Sequence, residues 1–296
     1  MKNGLIETEI QAQSLKKYLQ FKSYAFMYEK LFETRFAHTD EERTQAFQVR
    51  YEVYCAEYGF EEAQKFSDKM ERDAFDQCAQ HALLIHRPSQ KAVGTVRIIP
   101  PNIHDLELSF PLQESFSCKQ LSNANNIKRM CEISRLCILK DFRGKSSFGQ
   151  NNSKNTEKTK RDKVCDALAS KLIKFGPIGL LRSCYEMSLD RKLDSACAVL
   201  ETRLIRSLRR LGICCQPLGP VIDYHGQRQP ILIDFIETAS NMQAQNKGMW
   251  EMITYNGRLQ ERGHLVREHN NLIGASFTNQ FLNQGMPSNG QTLITT

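Results

Sequence analysis

Tryptophan occurs once in these 296 residues, proline nine times, and the ten cysteines include no Cys-x-x-Cys pair. The cysteine pattern is the informative shortage. Cys214 and Cys215 are adjacent, which does not suit two-site metal ligation, and the other cysteines are scattered through apolar segments. Free buried thiols in a reducing compartment are the expectation, with no bound metal. No apolar run is long enough to cross a bilayer. The opening MKNGLIETEIQAQSLKKYLQF lacks the continuous apolar core of a secretory leader, so a cytoplasmic location is expected. Neither a P-loop nor G-x-G-x-x-G, H-E-x-x-H or G-x-S-x-G is present, and kinase, nuclease and dehydrogenase readings find no support.

What is present is ordinary material for a globular core: 41% hydrophobic and 25% charged residues. The net charge of +7 is modest, and much of it sits between Lys154 and Lys163 and on Arg203, Arg206, Arg209 and Arg210. A basic patch attracts nucleic acid, membrane or an acidic protein, and it is also an ordinary solvated surface. No interleaved aromatic platform supports nucleic acid, which is not expected as a partner.

Apolar side chains at helical spacing (Leu15, Tyr18, Leu19, Ala25, Phe26) predict an N-terminal helical segment over 1–34. Thr39-Asp40-Glu41-Glu42 reads as a cap and an acidic first turn, with Ala46, Val49 and Val53 continuing that helix. The stretches 81–86 and 92–99 predict a hairpin around Arg87–Lys91. Residues 131–140 and 194–200 read as strands, and Thr202–Leu211 as a helix ending at Gly212. Two last strands around 213–224 and 229–237 join through His225-Gly226. A polar insert at 144–162 separates strand from helix. Beyond Ser240 the composition predicts a loose polar tail. The fold class is therefore α/β (α+β): a mixed central sheet flanked by helices, with a C-terminal strand hairpin and a polar tail. The division is 1–34, a main domain 35–239 and an extension 240–296.

The stretch 131–143, CEISRLCILKDFR, reads as a buried strand that carries Glu132 and Arg135. Charges in such a strand are paired, since losing one partner of a buried pair costs about 3–5 kcal/mol. Glu132 is then either half of a structural ion pair or a base held in place for catalysis.

Four segments stand in a row: VRYEVYCAEYGF at 49–60, DAFD at 73–76, GTVRIIP at 94–100 and EISR at 132–135. In order and spacing they resemble the acyl-homoserine-lactone synthases and the N-acyl amino acid synthases of the GNAT acyltransferase superfamily, with Ile98 where those families have leucine. The segment from Arg209 to Pro230 is similar to the acyltransferases of PEP-CTERM/exosortase systems. The resemblance implies a GNAT fold and transfer of a fatty acyl group from an acyl carrier protein or acyl-CoA thioester to the amine of an amino acid or related metabolite. It implies no bound cofactor, and an acyl carrier protein as partner for the basic residues. Two alternatives are an acyl-homoserine-lactone synthase using S-adenosylmethionine and a non-catalytic acyl- or carrier-binding module.

Acyl transfer of this kind needs no covalent nucleophile; it needs an aimed neutral amine, a base and oxyanion stabilisation. By resemblance Glu132 is the base, and Arg97 and Arg135 complete the catalytic set. Arg97 either anchors an acceptor carboxylate or locks Glu132 and Asp76. Arg50, Tyr54, Phe60, Asp73, Asp76 and Ser134 are expected around the acceptor. The family holds the donor's pantetheine arm between two splayed strands, here 131–140 and 194–200, with Leu136 and Ile138 along the first. FRGK at 142–145 starts like the family's phosphate loop, making Arg143 and Lys145 donor contacts, before the insert interrupts it. Tyr224 and His225 sit at the last turn without an assigned role.

Overall fold

The computed structural model describes residues 15, 18, 19, 21–143, 176–223 and 226–284. The chain is helical over 21–31 (α1), and this helix runs directly into strand β1, Phe32–Phe36. Helix α2, Asp40–Tyr51, begins as the sequence predicts: Thr39 Oγ1 accepts from Glu42 N–H at 3.2 Å, and the Glu42 carboxylate accepts from Thr39 N–H at 3.1 Å. This reciprocal cap satisfies backbone donors that the helix itself leaves free. A π-helical turn, Glu52–Glu57, extends α2. After two 3-10 turns come β2 (Gln80–His86) and β3 (Lys91–Ile99), the predicted hairpin. Short helices α3 (Pro111–Ser115), α4 (Lys119–Ser122) and α5 (Ala124–Ile127) lead into β4, Met130–Ile138. Then follow α6 (Gly176–Asp190), β5 (Ser195–Glu201), α7 (Thr202–Arg210), β6 (Gln216–Pro217), β7 (Ile222–Asp223) and β8 (Gln227–Asp234).

The strands form one mixed sheet in the order β1-β2-β3-β4-β5-β8-β6, with β7 also on β8. All pairs are antiparallel except β4–β5. Alternation of side chains divides the sheet into two faces. One face carries Ala82, Leu84, Val96, Ile98 and Ile138 into the main core, where α6 supplies Ile178, Leu180 and Cys184. The other carries Leu83 and Ile85 against Ala46, and Cys137 against Val49 and Val53.

Two features of β4 shape what lies between the strands. Its parallel pairing with β5 covers Met130, Cys131 and Glu132 and then stops, so the strands diverge beyond Glu132. On its other side the register with β3 slips from Thr95↔Cys137 to Arg97↔Ser134, leaving Arg135 and Leu136 opposite Val96. Arg135 accordingly takes φ of 54°. A bulge bends its strand and sharpens the local twist, which turns β4 away from β5. A non-glycine residue in the left-handed region costs about 1–3 kcal/mol, and the side-chain contacts of Arg135 offset it.

Two stretches depart from the sequence reading. Phe32–Phe36, partly inside the expected helical segment, is the edge strand of the sheet, paired with β2 from Phe32↔His86 to Phe36↔Ala82. The expected loose tail beyond Ser240 is instead helical: α8 (Phe235–Gln245), α9 (Lys247–Thr254) and α10 (Arg258–Gln284). Met242, Met249, Met252, Ile253 and Leu259 are buried in the main core. Asparagine and glutamine are frequent there, yet these apolar side chains, with Phe235 and Ala239 on α8, dock the helices on the core.

α1 is fastened to α6 at a close approach. Gly179 N–H donates to Tyr28 Oη at 3.2 Å, and that hydroxyl donates to Gly176 C=O at 3.3 Å. A Cβ on Gly179 would collide with Tyr28 Oη and lie 2.8 Å from Thr34 Cγ2. Gly179→Ala is expected to lower stability by about 1–3 kcal/mol, read as a shifted urea midpoint with unchanged slope.

Candidate active site

Three arginines converge from three elements. Arg50 comes from α2, where the helix turns it inward beside Ala46 and Val49; Arg97 comes from β3 and Arg135 from the bulge in β4. Arg50 and Arg97 are completely buried. Three carboxylates meet them, all from the segment between α2 and β2: Glu71, Asp73 and Asp76. Arg50 donates through Nε to Glu71 at 2.5 Å and through its terminal nitrogens to both oxygens of Asp76 at 2.7 and 3.0 Å. Arg97 donates to Asp73 at 2.7 Å, to Asp76 at 2.8 Å and, through Nε, to Ser134 Oγ at 3.0 Å. Arg135 donates to Glu71 at 3.0 Å and reaches Asp73 at 3.5 Å, its guanidinium lying 5.5 Å from the Tyr54 ring centre. Backbone donors aim the aspartates: Asp73 accepts from Phe75 N–H and Asp76 from Asp73 N–H, a reciprocal cap on the 3-10 turn Ala74–Gln77.

The network titrates as paired charge. Burial acts to raise the Asp76 carboxyl, but the hydrogen bonds and charge of Arg50, with Arg97, outweigh it and hold the group well below the usual range. Glu71 is likewise held low: burial is overcome by Arg50 and then Arg135. Burial disfavours the charged form of Arg135, yet Glu71 more than compensates and its pKa is raised.

Glu132 stands apart. It takes part in none of the ion pairs among the described residues, so the Glu132–Arg135 pair considered from sequence is not formed; Arg135 turns to Glu71 instead. Arg97 likewise ties Asp73 and Asp76 rather than Glu132. Glu132 Oε2 accepts the N–H of Leu112, at the first turn of α3, at 2.9 Å. It is 5% exposed. Burial pushes its pKa up to about 7; the Leu112 hydrogen bond and the charges of Arg97 and Arg135 oppose this without cancelling it, and Asp73 adds to it. Glu132 lies at the last residue of the β4–β5 pairing, opposite Cys197, where the strands begin to part. A carboxyl that is half ionised near neutrality, at the root of an opening in the sheet, is equipped to accept a proton.

Of the other residues expected at the site, Arg50, Asp73, Asp76 and Ser134 are in the network. Tyr54 is joined to it through Arg135, and its hydroxyl is 3.5 Å from Leu136 C=O. Phe60 is not; it stacks on Tyr58 at 4.9 Å. Ile138 is buried in the main core and faces Gly94 rather than the opening, while Leu136 is partly buried beside that core. Arg143 is bound to Glu57 and to Tyr58 Oη rather than standing open to a phosphate. Lys145, Tyr224, His225 and the basic stretch 154–163 lie outside the described residues.

The sequence reading passed over two members. Glu71 is 1% exposed and bridges Arg50 and Arg135. His81 lies directly across from Arg97, which lies across from Ser134, so one row of the sheet reads histidine, arginine, serine. Its ring packs edge-on to Phe47 with Nε2 3.5 Å from Asp76. Burial, with repulsion from Arg50, lowers its pKa to about 4, so the imidazole is neutral.

Residues 49–151 match the model of the acetyltransferase (GNAT) domain. The matched stretch holds the end of α2 with Arg50, the three carboxylates, the β2–β3 hairpin and β4, so the fold is GNAT-like where the site is built. Among solved structures, the chain is similar to TofI in a ternary complex with an inhibitor and MTA (17% identity, 71% of this chain and 96% of that one, TM-score 0.49). It is also similar to the AHL synthase LasI (17%, 73% and 95%, 0.47). A third is FeeM, an N-acyl amino acid synthase from uncultured soil microbes (14%, 72% and 97%, 0.48). No curated protein matches the chain. No helix among the described residues is long and apolar enough to cross a membrane.

Proposed function

We propose that the protein is an N-acyltransferase that moves a fatty acyl group from a carrier-protein or CoA thioester to the amine of an amino acid or related metabolite. The observation that carries the reading is Glu132: a buried carboxyl with its pKa near neutrality, outside the ion-pair network and at the point where β4 and β5 part. The acceptor amine attacks the thioester carbonyl carbon, a C–N bond forms, and the amine's proton passes to the Glu132 carboxylate, directly or through one water. Collapse of the tetrahedral intermediate breaks the C–S bond, and the departing thiolate takes back the proton that Glu132 received, leaving as thiol and restoring the carboxylate. Arg97 supports an acceptor bearing a carboxylate. Its Nη2 is buried and donates to no acceptor among the described residues, while its other nitrogens are fixed by Asp73, Asp76 and Ser134. A buried donor left unpaired costs about 1–3 kcal/mol, which an incoming carboxylate oxygen would recover.

The basic residues Arg203, Arg206 and Arg210, exposed on α7, suit an acidic carrier protein at the edge of the opening. Incubation with long-chain acyl carrier protein and an amino-acid pool, with and without S-adenosylmethionine, tests it by mass spectrometry. An N-acyl amino acid formed without S-adenosylmethionine is the expected product. A lactone would identify a homoserine-lactone synthase instead, and a stable complex without product a non-catalytic carrier-binding module.

A further inference from the structure

Four side chains from three separate parts of the chain are stacked over the place where β4 and β5 diverge. The guanidinium of Arg143, just beyond β4, lies 4.6 Å from the Tyr58 ring centre. The Tyr58 ring is parallel to that of Phe60, 4.9 Å away with 4° between the planes. The guanidinium of Arg228, on β8, lies 5.7 Å from the far ring, that of Phe60.

The two ends of this stack belong to the two sides of the opening. Phe60 is tied to the β4 side: its N–H donates to Tyr54 C=O at 2.8 Å, and Tyr54 reaches Leu136 on β4. Arg228 is tied to the β5 side, because it is the register partner of Glu201, the last residue of β5. The Phe60–Arg228 contact therefore bridges a gap that no backbone pairing closes beyond Glu132 and Cys197.

The bridge is weakly held at its Arg228 end. Glu201 is 3.9 Å from Arg228 and is itself exposed, and Arg228 Nε is buried with no acceptor among the described residues. A single cation on an aromatic face is a weak contact beside the many that a bound donor makes, and a ligand can displace it. Beside Arg228 lies a hollow of about 370 Å³ lined by Glu201, Thr202, Arg203, Arg206, Gly226 and Gln227. An arginine freed from Phe60 would find there two further guanidinium groups and room for an anion.

We propose that Tyr58 and Phe60, clamped between Arg143 and Arg228, form a gate across the β4–β5 opening that the donor thioester displaces, and that the released Arg228 then binds the donor's phosphate. The inference rests on the acyl-transfer reading above. A closed gate reduces donor affinity by the fraction of molecules that are open. Weakening the gate therefore tightens binding, the opposite of what removing a wall of the site would do.

The test is calorimetric titration of full-length protein with an amide analogue of palmitoyl-phosphopantetheine and with its dephospho form. Phe60→Ala is expected to lower the dissociation constant about three- to tenfold for both ligands, because it removes the ring that Arg228 holds across the opening. Tyr58→Ala, on the more exposed ring, is the second gate variant and should shift binding in the same direction. Arg228→Gln should erase the preference for the phosphorylated ligand. If wild type binds and both alanine variants bind equally or more weakly, the gate is refuted while the acyl-transfer reading stands. An undiminished phosphate preference in Arg228→Gln refutes the latch. If neither wild type nor the variants bind any analogue, the functional reading falls and the gate with it.

Discussion

Glu132→Gln is expected to lower kcat/KM for acyl transfer by about 10²–10⁴-fold, the usual worth of a positioned general base. Glutamine keeps an oxygen for the Leu112 N–H that Glu132 accepts at 2.9 Å, so the variant should retain its local structure and lose only the ionisable group. The pH profile separates the base from a positioning group. With its pKa raised to about 7, chiefly by burial, Glu132 is protonated and inactive as a base below neutrality. Wild-type kcat/KM should therefore climb tenfold per pH unit on the acid side and bend near pH 7, and this limb should vanish in Glu132→Gln. Survival of the limb in the variant would assign it to another group. Stability has the opposite slope. The folded pKa lies above the ordinary value of 4.5, so between 4.5 and about 7 the folded protein holds a proton that the unfolded chain has released. That contribution is complete below 4.5 and is lost as pH rises through about 7. Glu132→Gln should thus gain stability relative to wild type on going from pH 5 to pH 8, in urea melts at the two values.

How far the site was legible in the sequence depends on the range of the interaction concerned. Local chemistry was readable: the Thr39 cap, the β2–β3 hairpin and the Asp73/Asp76 turn all rest on residues a few positions apart. The four spaced motifs pointed to Arg50, Asp73, Asp76, Arg97, Ser134 and Arg135 as site residues, and the structure joins these six in one network. The partner of Arg135 was not readable from motif spacing. Strand alternation puts Glu132 and Arg135 on opposite faces, and a bulge that only the β3 register reveals sends Arg135 to Glu71. A charge count offered a signal, since three inward arginines facing two aspartates leave a third carboxylate to be found. Beyond Ser240 composition misled, because helix docking needs only a stripe of apolar side chains, and Met242, Met249 and Met252 supply it among polar neighbours. Phe32–Phe36 was hidden by its length, five residues running straight on from a helix.

Glu71→Ala should be strongly destabilising, costing about 3–5 kcal/mol and lowering Tm by on the order of 10 °C. The reason lies in what it leaves behind. Glu71 is 1% exposed, and its carboxylate accepts both from Arg50, which is completely buried, and from Arg135. Its removal leaves Arg50 with Asp76 alone and Arg135 with the more distant Asp73 at 3.5 Å and Glu61 at 3.8 Å. Arg135 also occupies a left-handed conformation that its contacts must offset, so losing its main partner loosens the bulge as well as the charge balance. Asp73→Ala should cost far less, because Asp73 is 30% exposed on its side chain and water can reach the arginine it leaves. The pH dependence checks the cause. Glu71 is held below its ordinary 4.5, so its contribution is present above that value and is lost as pH falls through the folded-state pKa. Wild type and Glu71→Ala should therefore differ fully at pH 7 and draw together below pH 4.5. A gap that stays constant into acid would mean that the variant fails through packing rather than through charge. The same variant should also lose acyl transfer in its folded fraction, since Arg97 and Arg135 share Asp73, and the charges of all three act on Glu132.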